Sequence, residues 1–112
     1  MPIRALVALA LIVVGSPKYV LAEGDPNNGR SLARTNCARC HGVDGNARST
    51  SFQTVPMLAG QPATYLVREM RNYVSGARND SSKGASMTRF LRDLSEQDFE
   101  DIAAFYEAQK RY

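Results

Sequence analysis

Apolar residues follow two patterns along this chain. Before residue 23 they form one nearly unbroken run, Ala5 to Gly15. After it they recur three and four positions apart, as they do in helices buried on one face. No stretch alternates with a period of two, so no strand is expected. The spacing predicts three helices. The first spans Pro26 to Asn36, with Asp25 as a suitable N-cap and Pro26 at the first helical position. Gly29, Leu32, Ala33 and Asn36 share one of its faces. Glycine inside a helix is less stable than alanine, so Gly29 points to close approach by another helix. The second helix spans Pro62 to Ser75, and Gly76 follows where a left-handed C-cap is favoured. Leu66, Met70, Tyr73 and Val74 form its stripe, with Tyr65 beside it. The third starts after Ser95, which pairs with Asp98 as a capping box, aspartate replacing the usual Glu or Gln. Its apolar face is Phe99, Ile102, Ala103 and Tyr106. Asp98, Glu100 and Asp101 lie near its start and Lys110 and Arg111 near its end, as the helix dipole favours. The fold class is therefore expected to be all-α.

The linkers are rich in Gly, Ser, Asn and Pro and read as loops. Two are long, about residues 42–61 and 77–94. Loops of that length in a small domain imply a function or something to wrap around, and a flat, mostly apolar ligand would serve. The run before residue 23 has a different character. Arg4 gives it a positive start, and Val20-Leu21-Ala22 offers small or branched residues where a signal peptidase cuts. The run is about half the roughly 20 residues that span a bilayer. The expected organisation is a secretory signal over 1–22 and one domain over 23–112.

Charge changes meaning once that segment is set aside. The whole chain has 14 basic and 11 acidic side chains, net +3. Arg4 and Lys18 leave with the segment, so 23–112 carries 12 basic against 11 acidic residues. That near balance, with no dense Lys/Arg run, argues against a nucleic-acid partner.

The chemistry concentrates at Cys37-Ala38-Arg39-Cys40-His41. Two thiols three positions apart can add to the two vinyl groups of haem, and the histidine directly after them is then placed under the iron. C-x-x-C-H reads as c-type haem attachment. Three other uses of such cysteines fit less well. An exported protein could join them in a disulfide. A structural zinc site needs four ligands, and the chain has two cysteines and one histidine. A thiol redox motif belongs in a βαβ context, which the pattern lacks.

With these residues the chain resembles the class I cytochromes c, most of all the cytochrome c4 and c-553-like group. The likeness runs from Gly24-Asp25 and Gly29 through Cys37 to Gly42 and Asp44-Gly45-Asn46. It continues with Pro56-Met57-Leu58-Ala59-Gly60-Gln61, Tyr65-Leu66 and Gly76-Ala77-Arg78, and closes with Met87 and the helix from Leu94-Ser95 to Tyr106. The resemblance implies three main helices wrapped around one covalent haem c held by Cys37 and Cys40. His41 would be one axial ligand. A methionine is the natural sixth, since the only histidine is used and Met/His ligation is usual in cytochromes c. The family carries its axial methionine where Met87 stands. Met70 reads as core filling, and Met57, after Pro56, is expected to point away from the iron. The resemblance also gives the Pro56 carbonyl the task of orienting His41 and places Leu58 against the haem. Gln61 and Tyr65 would lie nearby. Gly29 and the Phe105/Tyr106 region match the crossing of the family's terminal helices. Arg39, Arg48, Arg78, Lys83, Arg89 and Arg92 read first as solvated surface, with Arg78 the best candidate to meet a propionate or partner.

The expected function is one-electron transfer in the periplasm, not enzymatic turnover. Partners would be redox protein donors and acceptors, a membrane-bound oxidoreductase among them, and the chain would be a monomer or homodimer. The alternatives are a haem subunit of a larger redox enzyme and a five-coordinate gas-binding haem protein.

Overall fold

A computed structural model describes residues 24–50 and 54–112, with positions 2, 3, 8 and 10–12. The export signal expected over Met1–Ala22 lies outside the described residues but for those few positions. Among the described residues there are five α-helices: α1 Pro26–Asn36, α2 Ala38–His41, α3 Ala63–Ser75, α4 Ser86–Leu91 and α5 Glu96–Glu107. A 3₁₀ turn, Lys83–Ala85, precedes α4. Among the described residues there is no strand, and no helix is long and apolar enough to cross a membrane. The fold is all-α.

The three long helices start and stop as their caps dictate. Asp25 accepts a hydrogen bond from the Asn27 amide, and Pro26 opens α1. Ser95 and Asp98 make both bonds of the capping box, Asp98 N to Ser95 Oγ at 3.0 Å and Ser95 N to Asp98 Oδ2 at 2.9 Å. Gly76 closes α3 at φ 81°. The two short helices are not among the three that the spacing predicts. α2 follows Cys37 directly, and α4 occupies part of the 77–94 linker. Neither is long enough to display a helical period in sequence. Pro62 is the N-cap of α3 rather than its first residue. Lys110 and Arg111 fall beyond the end of α5 at Glu107, outside the last turn where a dipole acts.

The core lies where α5 meets α1 and α3. Ala33, Leu66, Val67, Met70, Leu91, Phe99, Ile102, Ala103, Phe105 and Tyr106 form one buried cluster. On α3 the buried face is Leu66, Val67 and Met70. Val74, expected in that stripe, is 43% exposed in the last turn.

α1 and α5 approach backbone to backbone. A Cβ on Gly29 would stand 1.8 Å from the Asp101 carbonyl oxygen, and one on Gly24 would stand 1.9 Å from that of Glu100. The crossing at Gly29 thus meets Asp101 and Ile102, one turn before Phe105 and Tyr106. Asp101 is buried there, and its carboxylate accepts from Asp25 N at 2.7 Å, Asn28 Nδ2 at 2.6 Å and Gln97 Nε2 at 2.9 Å. Burial alone would raise its pKa, but those bonds outweigh it and hold the carboxyl below its ordinary value. This seal was not legible in the sequence, where Asp101 reads as a helix-dipole residue. Its partners Asp25 and Asn28 lie 76 and 73 positions away.

Candidate haem site

Cys37 is the C-cap of α1, its amide donating to the Ala33 carbonyl. The chain turns there into α2, which carries Cys40 and His41. The C-x-x-C-H sequence is therefore mounted on the helix that crosses α5. Neither cysteine is in a disulfide. Burial pushes the Cys37 thiol up to about 11, more than the neighbouring Tyr106 hydroxyl lowers it, so it is protonated at neutral pH.

His41 is buried, and its Nδ1 stands 2.9 Å from the Pro56 carbonyl oxygen. A carbonyl can only accept, so Nδ1 carries the proton. Burial lowers the pKa of the ring more than this bond raises it, favouring the neutral form. In that form Nε2 keeps a free lone pair, the state that binds a metal.

Cys37, Cys40 and His41 border a cavity of about 710 Å³. Pro56, Leu58 and Tyr106 line it too, as do Leu66 and Met70 of α3 and Met87, Phe90 and Leu91 of α4. Of the three methionines in its wall, Met70 is a core residue and Met87 is partly buried against the core. Met57 also reaches the wall, although the sequence suggests it points away. Gln61, Tyr65, Arg78 and Lys83 border the cavity, while Arg39, Arg48, Arg89 and Arg92 do not. Arg78 pairs with Glu69 at 2.9 Å and stacks 4.6 Å from the centre of the Tyr73 ring. Glu69 carries no sequence signal for this pairing. The spacing from Glu69 to Arg78 exceeds one helical turn and crosses a cap, so no local pattern announces it.

These residues suit a covalent haem. The wall is largely apolar, it holds two thiols and a neutral imidazole of fixed tautomer, and thioether sulfurs are within it. Tyr106 adds a buried hydroxyl beside the Cys37 thiol. Among those residues no cluster of three or more His, Cys, Asp or Glu could bind a metal ion by itself.

An all-α fold closed over a C-x-x-C-H cavity defines a class I c-type cytochrome domain. The sequence model of the cytochrome c family matches residues 26–109, and the chain belongs to that family. Within it the chain is closely related to cytochrome c4. Cytochrome c4 of Stutzerimonas stutzeri is 37% identical over 112 residues, covering 96% of this chain and 51% of that protein. Cytochrome c4 of Pseudomonas aeruginosa is 38% identical over 107 residues, covering 96% and 49%. The chain thus spans about half the length of these curated relatives. Cytochrome c-554(548) of Halomonas halodenitrificans is 38% identical over 87 residues, covering 78% of this chain and 99% of that protein. The crystal structure of reduced recombinant cytochrome c4 from Pseudomonas stutzeri superposes with a TM-score of 0.62 at 37% identity, over 80% of this chain and 47% of that one. A single covalently bound haem c is consistent with this family and with the Cys/His motif.

Proposed function

We propose that this chain is a periplasmic one-electron carrier, with haem c attached through Cys37 and Cys40 and ligated by His41 and Met87. The observation that carries the reading is the His41–Pro56 hydrogen bond at the wall that also contains Met87. Bound haem supplies the redox chemistry, its iron alternating between ferric and ferrous. The chain's own residues do the rest. Cys37 and Cys40 tether, Pro56 fixes the ring of His41, and Met87 offers a thioether, which raises a haem potential relative to a second histidine. Leu58, Leu66 and Leu91 exclude water from the wall. His41 and Met87 would together leave the iron no place for substrate, which favours a carrier over an enzyme.

The periplasmic assignment is supported by the signal-like pattern of residues 1–22, with 23–112 as the working domain. Redox proteins are the partners this chemistry fits, a membrane-bound oxidoreductase among them, met by a monomer or a homodimer.

The test is an absorption spectrum of the exported protein, oxidised and reduced, with carbon monoxide added to the reduced form. A far-red sulfur-to-iron band when oxidised, abolished by Met87→Ala and retained in Met70→Leu and Met57→Leu, is expected. Rapid carbon monoxide binding by the unsubstituted protein would instead indicate an open iron and a sensing role.

A further inference from the structure

We propose that Asp80 is a positioning residue for Met87: its carboxylate caps, from outside the helix, the short helix that presents the methionine. The inference rests on Met87 being the ligand, as proposed above.

The first amides of any helix lack partners within it and need acceptors. α4 begins at Ser86 and its N-cap is Ala85, whose side chain can accept nothing. Asp80 substitutes for the missing cap. Its Oδ2 accepts from the Thr88 amide at 2.8 Å and from Thr88 Oγ1 at 2.9 Å. Its Oδ1 accepts from the Ser82 amide at 3.1 Å and also from the Ser82 hydroxyl. Ser82 Oγ in turn accepts from the Met87 amide at 3.4 Å. One carboxylate therefore holds the amide of residue 88 directly and that of residue 87 through a serine.

The segment needs such a hold. Ala85 stands at φ 51°, ψ 48°, the left-handed region that residues with a Cβ avoid. Phe90, on the same helix as Met87, is 48% exposed, so apolar burial secures this helix only in part. Ser82 and Met87 border the cavity and Asp80 does not. Asp80 thus acts from behind the wall and touches no cofactor. Without it, the direct bonds that fix the first turn of α4 are lost, and the methionine can swing away while the three long helices persist. Local opening of this kind costs less than global unfolding.

The experiment uses the haem-loaded protein. Urea titration follows the far-red band of the oxidised form beside the helical circular dichroism signal, and carbon monoxide binding to the reduced form is timed without denaturant. Asp80→Ala should lower the midpoint of the band more than that of the helix signal and speed carbon monoxide binding about tenfold. Asp80→Asn, which keeps one accepting oxygen, should recover part of both. Thr88→Val, which loses only the hydroxyl, should shift both readouts the same way by less, and decides the matter if Asp80→Ala fails to fold. Equal shifts of the two midpoints with an unchanged carbon monoxide rate would mean a merely structural aspartate and overturn the inference alone. A far-red band that survives Met87→Ala would overturn the ligand assignment, and this inference with it.

Discussion

The α1–α5 crossing and the segment from Asp80 to Leu91 border the same cavity, yet different forces hold them. At the crossing, two glycines let backbones touch, and Asp101 is buried with three donors around it. Nothing larger than hydrogen fits at Gly29. In the Asp80–Leu91 segment Leu91 reaches the core, but the first turn of α4 is held by hydrogen bonds to one carboxylate, the backbone is strained at Ala85, and one aromatic ring is half exposed. The first region is defined by exclusion of volume, which allows one arrangement. The second is defined by polar bonds that water can replace. The attachment side is therefore the rigid half of the proposed site and the methionine side the yielding half.

The largest break in this comparison should come at the crossing. Gly29→Ala puts a methyl group 1.8 Å from a carbonyl oxygen, and the helices must part. A loss of about 3 kcal/mol is expected from overpacking of that severity, read from urea unfolding of the helix signal. A loss below about 1 kcal/mol would show that the helices slide apart easily.

Asp101→Ala comes next. It leaves the Asp25 amide and the Asn28 amide group without their acceptor, at a cost of about 2–3 kcal/mol for hydrogen bonds to a charged group. Because the folded carboxyl titrates below its ordinary value, its contribution is complete above the unfolded pKa of about 4 and fades as pH falls through the lower, folded value. The gap in stability between Asp101→Ala and the unsubstituted protein should therefore be constant from pH 5 to 8 and narrow below about pH 4. A gap that widened in acid would contradict the assignment.

The smallest effect should come at Ala85. Glycine there removes the left-handed penalty, about 1–2 kcal/mol, and returns part of it through a more flexible unfolded chain. Ala85→Gly should raise the thermal midpoint slightly, by under about 1 kcal/mol of stability. A fall would mean that the Ala85 side chain contributes packing that outweighs its strain.

Legibility in the sequence follows the same division. α1, α3 and α5 could be read because each has eleven or more residues, a capping residue and an apolar face. α4 could not, because six residues make less than two turns and its cap is Ala85, a residue with no capping signal. The C-x-x-C-H cluster is readable because attachment demands a fixed local spacing. The pairing of His41 with Pro56 spans 15 positions and has no local signature, so only the resemblance to a family suggested it. The roles of Asp80 and Asp101 are not legible in sequence because a carboxylate chooses donors by tertiary proximity, and composition does not reveal it.

Cys37 belongs to two structures at once, as the last cap of α1 and the first residue of the attachment motif. The chain's tolerance to changes in length should be uneven for that reason. One residue added between Ala33 and Cys37 would turn the motif by about 100° around the α1 axis and aim both sulfurs and the imidazole elsewhere, since Gly29 forbids α1 from rotating to compensate. The same addition between Gly45 and Thr50 would be taken up by irregular backbone. Positions along this chain are thus not equal as places where length can drift: the eight residues from Ala33 to Cys40 act as a ruler, and the linkers as slack.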